Sequence, residues 1–143
     1  MKKLAAFIAS GSGMGADAAK HLSTKGYDVA IMSSSGKGEE LDKKLGGFGY
    51  TGSNLSSKDI DNFLSQTLAK FGKIDELLNS ARHGPKGEII ELSDEDWSNG
   101  MEVYFLNVVR QVRVIVQIMA NHKNYTIIKI FKCALFDTDQ NYQ

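Results

Sequence analysis

Only one cysteine, Cys133, occurs in the 143 residues. An internal disulfide is therefore excluded, and the chain suits a reducing compartment. Cys133 sits in an apolar run with no histidine nearby, so it reads as a packed small hydrophobe rather than a nucleophile. Charge of one sign is also lacking: Lys plus Arg and Asp plus Glu number 17 each. The basic residues are scattered singly or in pairs, which leaves no electrostatic footprint for nucleic acid or for an acidic membrane surface. Long apolar runs are missing too. No window approaches the ~18 apolar residues that a membrane helix requires. The stretch from Leu4 to Ala9 is too short for the core of a secretory signal and runs straight into glycines. A cytoplasmic location is expected. The histidines, His21, His83 and His122, stand apart, with no carboxylate or thiol at ligand spacing, so no metal site is expected.

What remains is ordinary globular composition, 42% hydrophobic and 24% charged, in a chain with the length of one domain. Strand-like and helix-like segments alternate along it. Leu4 to Ala9 is a buried first strand, followed by a helix with Ala18, Ala19 and Leu22 on one face and Gly26 at its end. Asp28 to Met32 is a second strand, Glu39 to Leu45 a short helix, and Gly47 to Gly52 a weak third strand. Ser56 or Ser57 caps a helix in which Ile60, Phe63, Leu64, Thr67, Leu68 and Phe71 keep a 3.6-residue period. Ile74 to Leu78 is a fourth strand. The acidic start Ser93-Asp94-Glu95-Asp96 opens a long helix, roughly Trp97 to Asn121, and Tyr125 to Phe131 is a fifth strand. Helices between strands imply right-handed crossovers and strand order 3-2-1-4-5. The expected fold is α/β, a Rossmann-type doubly wound parallel sheet in a single dinucleotide-binding domain over residues 1–143.

The turn after the first strand reads Ser10-Gly11-Ser12-Gly13-Met14-Gly15. A pyrophosphate needs backbone N–H donors, a helix N-terminus and no obstructing side chains, and glycines between a strand and a helix supply all three. Ser10, Gly11, Gly13, Met14 and Gly15 are therefore candidate cofactor residues. The end of the second strand, where a carboxylate would hold a free ribose 2′-hydroxyl, reads Ser33-Ser34-Ser35-Gly36-Lys37, with no acidic residue before Glu39. Hydroxyls and a lysine suit a 2′-phosphate, so NADP is expected ahead of NAD, with Ser33, Ser34 and Ser35 as its contacts; a plain solvated turn is the competing reading.

These motifs resemble the short-chain dehydrogenase/reductase family over nearly the whole chain. The glycine turn is similar to the family's T-G-x-x-x-G-x-G, with Gly13 and Gly15 in the final G-x-G. Ala9 falls on the first glycine, so the turn is either altered or one residue short. Asn54-Leu55-Ser56 stands where the family has Asp-Val-Thr, which implies that Asn54 and Leu55 face the adenine. Asn79-Ser80-Ala81-Arg82 resembles N-N-A-G at the end of the fourth strand, implying cofactor contacts for Asn79 and Ala81; Arg82 replaces a glycine there. Phe105-Leu106-Asn107-Val108-Val109-Arg110 is similar to the oxoacyl-reductase branch. Counted from Trp97, the family's helix asparagine falls on Tyr104, with Asn107 one turn later as the alternative.

The resemblance implies hydride transfer on a carbonyl or alcohol, and it also marks what is missing. Where the family has N-I-S, the chain has Lys129, Ile130 and Phe131, so the serine role is vacant. Tyr142 is followed only by Gln143, so the family's Tyr-x-x-x-Lys helix is not expected, and no catalytic residue is assigned. The fold is expected to be truncated after the fifth strand relative to the family, and the chain alone to lack dehydrogenase turnover. Two readings stay open: an NAD(P)-dependent oxidoreductase given as its N-terminal portion, or a non-catalytic nucleotide-binding or interaction module. The long helix is apolar on more than one face, through Val103, Tyr104, Phe105, Val108, Val109, Val112, Ile115, Val116 and Met119. It is expected to bury both faces, with Trp97 to Met119 in a homo-oligomer contact.

Overall fold

The first apolar run forms β1 (Leu4–Ile8), and all five of its residues are buried. A strand covered on both faces needs no polar alternation, which is why LAAFI reads as a continuous apolar run. The computed structural model describes residues 2–81, 83–121 and 125–130. After β1 come α1 (Gly13–Thr24), β2 (Asp28–Ser33), α2 (Lys37–Leu45), β3 (Phe48–Thr51), α3 (Ser57–Phe71), β4 (Glu76–Asn79), α4 (Asp94–Met101), α5 (Asn107–Met119) and β5 (Thr126–Lys129). The strands form one sheet in the order β3-β2-β1-β4-β5, and each adjacent pair is parallel. This is the α/β doubly wound order expected from right-handed crossovers.

The period of two along β1 sorts its side chains into two cores. Leu4, Ala6 and Ile8 pack with Ile60, Phe63 and Leu64 of α3 and with Ile115 and Met119 of α5. Ala5 and Phe7 pack on the other face, with Ala19 of α1 and with Val29 and Ile31 of β2. The periodic face of α3 is the buried one, and Ser56 rather than Ser57 caps that helix, its Oγ accepting from the Asp59 N–H at 3.2 Å.

The long helix differs from expectation in three ways. It begins at Asp94, where Ser93 and Asp96 cap each other: the Asp96 N–H donates to Ser93 Oγ, and the Asp96 carboxylate accepts from the Ser93 N–H. The Ser93 hydroxyl, which donates to the same carboxylate at 2.7 Å, and the Ser93 N–H hold the Asp96 carboxyl below its usual pKa. The helix is also interrupted by a π-helical turn over Glu102–Leu106. Finally, the residues that α5 buries are Asn107, Gln111, Ile115 and Met119, one every four. The valines lie on flanks that are half-buried or exposed. Two amides thus occupy inward positions, while Tyr104, Phe105 and Val116 face outward.

Candidate functional site

The carboxyl ends of β1, β2 and β4 meet at the glycine turn. Ser10 is fully buried there; its N–H donates to the Met32 carbonyl and its Oγ to the Ile8 carbonyl, each at 3.1 Å. Two residues of the turn take the left-handed backbone, Ala9 at φ 57° and Gly13 at φ 60°. For alanine that conformation costs about 1–2 kcal/mol, so Ala9 occupies a glycine-type position without being glycine. The turn is altered, not shortened. A Cβ on Gly11 would come within 2.8 Å of the Ser33 Cβ, and one on Gly15 would collide with Ser10 and Ser80. Glycine at these two points lets the turn, the end of β2 and the end of β4 touch. Ser12, at the N-cap of α1, makes no side-chain cap bond. The first amides of α1 are thus left for an external acceptor, and the helix dipole favours an anion there.

A cavity of about 190 Å³ opens beside this turn. Ala9, Gly11 and Ser12 line it from the turn, Ser33, Ser34 and Ser35 from the end of β2, Asn54 from beyond β3, and Ser80, Ala81 and His83 from beyond β4. The three serines are not equivalent. Ser33 is buried and its Oγ accepts from the Gly38 N–H at 2.8 Å, which ties β2 to the first turn of α2. Ser34 and Ser35 are exposed. Glu39, the first carboxylate after β2, accepts a 2.6 Å bond from Thr51 Oγ1. His83 holds a left-handed backbone at φ 78°, a strained state for a residue with a side chain. A second cavity of about 280 Å³ lies between α3 and α5, lined among others by Ile60, Arg110 and Arg113. It is away from the carboxyl ends of the strands, where ligands of open α/β sheets bind, so the smaller cavity is the candidate.

Behind that cavity lies a fully connected amide network. Asn79 Nδ2 donates to Asn107 Oδ1 and to Gln111 Oε1, both at 2.7 Å, and Gln111 Nε2 donates to Asn107 Oδ1 at 2.8 Å. Asn107 Nδ2 in turn donates to the Val103 carbonyl in the π-helical turn. Asn79 Oδ1 accepts from the Ala81 N–H at 2.8 Å and from Lys129 Nζ at 3.1 Å. The Lys129 ammonium also donates to the Ala81 carbonyl at 2.6 Å, and burial draws its pKa below the usual lysine value. The network joins α5 and β5 to the stretch that leaves β4 and borders the cavity.

Residues 3–135 match the family model of the short chain dehydrogenases. The chain belongs to the short-chain dehydrogenase family. No curated protein matches it in sequence. Among solved structures, it resembles a 3-oxoacyl-reductase from Bacillus thuringiensis at 18% identity and TM-score 0.81, over 90% of this chain and 57% of that one. An F189W actinorhodin polyketide ketoreductase with NADPH aligns at 22% identity and TM-score 0.85, covering 93% and 54%. The L-sorbose reductase from Gluconobacter frateurii, complexed with NADPH and L-sorbose, aligns at 24% and 0.78, covering 90% and 51%. At such identities the likeness shows the fold. The chain spans about half the length of each.

Within this short-chain dehydrogenase fold the expected cofactor residues take different places. Gly11, Ser33, Ser34, Ser35, Asn54 and Ala81 line the cavity, and Gly13 and Met14 begin the helix beside it. Ser10, Gly15 and Asn79 are buried and hold the frame. Leu55 is exposed, beside Asn54 but not part of the lining. The position counted onto Tyr104 needs correction. Tyr104 is exposed, and its hydroxyl accepts from the Gly84 N–H at 2.9 Å, whereas Asn107 is buried against Asn79. A π-helical turn shifts the phase that a regular count from Trp97 assumes. The Tyr-x-x-x-Lys spacing also occurs once after all, from Tyr125 to Lys129, but along β5. Four residues of strand span about 13 Å, too far for the pairing that one helical turn provides. Sequence reasoning left out Ala9, Ser12, Ser80 and His83 as lining residues, and Gln111 and Lys129 as their support. His83 had a signal in its place near the expected mouth; Gln111 had none in a helix read for its apolar residues. Arg82, His122, Phe131, Cys133 and Tyr142 lie outside the described residues.

Proposed function

We propose that this chain is a single NADP(H)-binding domain of an oxidoreductase that transfers hydride between the nicotinamide and a carbonyl or alcohol. The observation that carries this reading is the cavity at the strand ends, set against the uncapped N-terminus of α1. Its donors suit the cofactor. The amides from Gly11 to Gly15 would take the pyrophosphate, and Ser34 and Ser35, with Lys37 opening α2, the 2′-phosphate. Asn54 and Leu55 would lie toward the adenine, and Asn79 and Ala81 toward the nicotinamide ribose. Ser33 serves by holding α2 rather than by touching phosphate. Two reductases of similar fold are NADPH complexes, which supports NADP over NAD. Calorimetric titration tests the reading. NADPH should bind at least about tenfold more tightly than NADH, and Gly13→Val should abolish binding. Equal affinities, or an unaffected Gly13→Val variant, would overturn it.

The assembly proposed with it is a homo-oligomer through Trp97 to Met119, located in the cytoplasm. Trp97, Met101, Tyr104, Phe105 and Val116 are exposed along that helix, an apolar surface of the kind that marks interfaces. Light scattering showing a stable monomer at micromolar concentration would contradict it. No helix among the described residues is long and apolar enough to cross a membrane. A second reading, a nucleotide-binding module without turnover, is favoured by Lys129, which fills the family's polar position on β5 and is engaged by Asn79 and Ala81. Cofactor binding without NADPH oxidation across a panel of ketones would select it.

A further inference from the structure

Lys129 is a half-buried charge that the proposed hydride chemistry does not use. Its ammonium donates to two neutral acceptors, Asn79 Oδ1 and the Ala81 carbonyl. Among the described residues no carboxylate forms an ion pair with it. Among the described residues the positive charge is thus uncompensated, and it is partly withdrawn from water, where a charge acts over longer range than in solution.

Its place follows from the strand order. A dinucleotide on this fold rests its pyrophosphate on the turn after β1 and its adenosine ribose at the end of β2. Since β2 and β3 lie to one side of β1 and β4 and β5 to the other, the nicotinamide half extends over the ends of β4 and β5. Lys129 is the last residue of β5, and Ala81, which its ammonium holds, lines the cavity. The nicotinamide ring carries a formal positive charge when oxidised and none when reduced.

We propose that Lys129 makes the site discriminate between the redox states of its cofactor, favouring NADPH over NADP+. This rests on the NADP(H) reading above. The two forms have the same phosphates, ribose and adenine, so any attraction of Lys129 for phosphate cancels in the ratio of their affinities. Only the charge on the ring remains. Two like unit charges within about 10 Å, at an effective dielectric constant of about 20, change such a ratio roughly tenfold.

The test measures the dissociation constants of NADPH and NADP+ by calorimetry, on the unaltered chain and on Lys129→Met and Lys129→Arg. The unaltered chain should bind NADPH about tenfold more tightly. Lys129→Met should bring the two constants together, while Lys129→Arg, which keeps the charge, should preserve the preference. Lys129→Gln, which keeps a donor toward Asn79 and Ala81, replaces the methionine variant if that one fails to fold. Equal affinities in the unaltered chain, or a ratio unmoved by neutralising Lys129, would overturn the inference and leave the cofactor reading standing. Failure of both nucleotides to bind any of these proteins would overturn the cofactor reading and the inference together.

Discussion

Replacing Asn107 by leucine, nearly its own shape, should cost far more stability than replacing its neighbour Gln111 by methionine. Among the described residues Asn107 Oδ1 is the sole acceptor for Gln111 Nε2 and one of two for Asn79 Nδ2, and Asn107 Nδ2 serves the Val103 carbonyl. In Asn107→Leu, Asn79 keeps its bond to Gln111 Oε1, but the Gln111 amide group is orphaned in a buried site. An unsatisfied buried donor costs about 1–3 kcal/mol, and the lost bond to Val103 adds about 1. The sum is about 2–4 kcal/mol, or on the order of 10 °C in Tm for a chain of this length. In Gln111→Met the donor and the acceptor leave together. Asn79 keeps one N–H on Asn107 and loses the acceptor of the other, so no amide loses all its partners, and the loss should stay at about 1 kcal/mol. Urea denaturation of the two variants decides the matter. Equal losses, or a loss under 1 kcal/mol for Asn107→Leu, would show that Asn107 is not the hub of the network.

Three further outcomes follow from local geometry. Ala9→Gly relieves a left-handed alanine worth about 1–2 kcal/mol against about 0.4–1 kcal/mol of added unfolded-state freedom, so it should raise the melting temperature slightly; a lowered one would refute the backbone assignment. Ser33→Ala should lower stability by about 1 kcal/mol through loss of the bond to the Gly38 N–H, whereas Ser34→Ala should leave stability unchanged and weaken NADPH binding with little effect on NADH. Among the described residues Asp42 Oδ1 is buried without a well-formed hydrogen bond, and burial, opposed by Lys70 and by the backbone amides of Gly47 and Gly49, raises its carboxyl above the usual value. Because the folded pKa exceeds the unfolded one, its contribution is favourable below the unfolded value and is lost as pH rises through the folded one. Asp42→Asn should therefore raise Tm at pH 7, and the gain should vanish below about pH 4. A gain that persists in acid would point to another cause.

The order of the sheet, the two-sided burial of β1 and the place of the glycine turn were legible in the chain because each depends on local pattern: continuous apolar residues, a 3.6-residue period in α3, glycines between a strand and a helix. Right-handed crossovers together with the dinucleotide-type glycine turn then pointed to the order 3-2-1-4-5. Other features depended on distant residues meeting. That Ser33 caps α2 while Ser34 stays open is a matter of which hydroxyl reaches the Gly38 N–H. That Asn107 rather than Tyr104 turns inward depends on a π-helical turn, which has no dependable sequence signature. The inward face of α5 was the hardest to read, since hydrophobicity pointed to the valines, while two of its four buried residues are amides. Asn79, brought there by β4, supplies their hydrogen bonds, and burying an amide is tolerable only when such a partner is present. Sequence alone therefore determined the topology and the location of the cavity. Tertiary structure decided which side chains line it and which hold it up, because a polar group's role is set by a partner that may lie fifty residues away, as Asn79 does from Lys129.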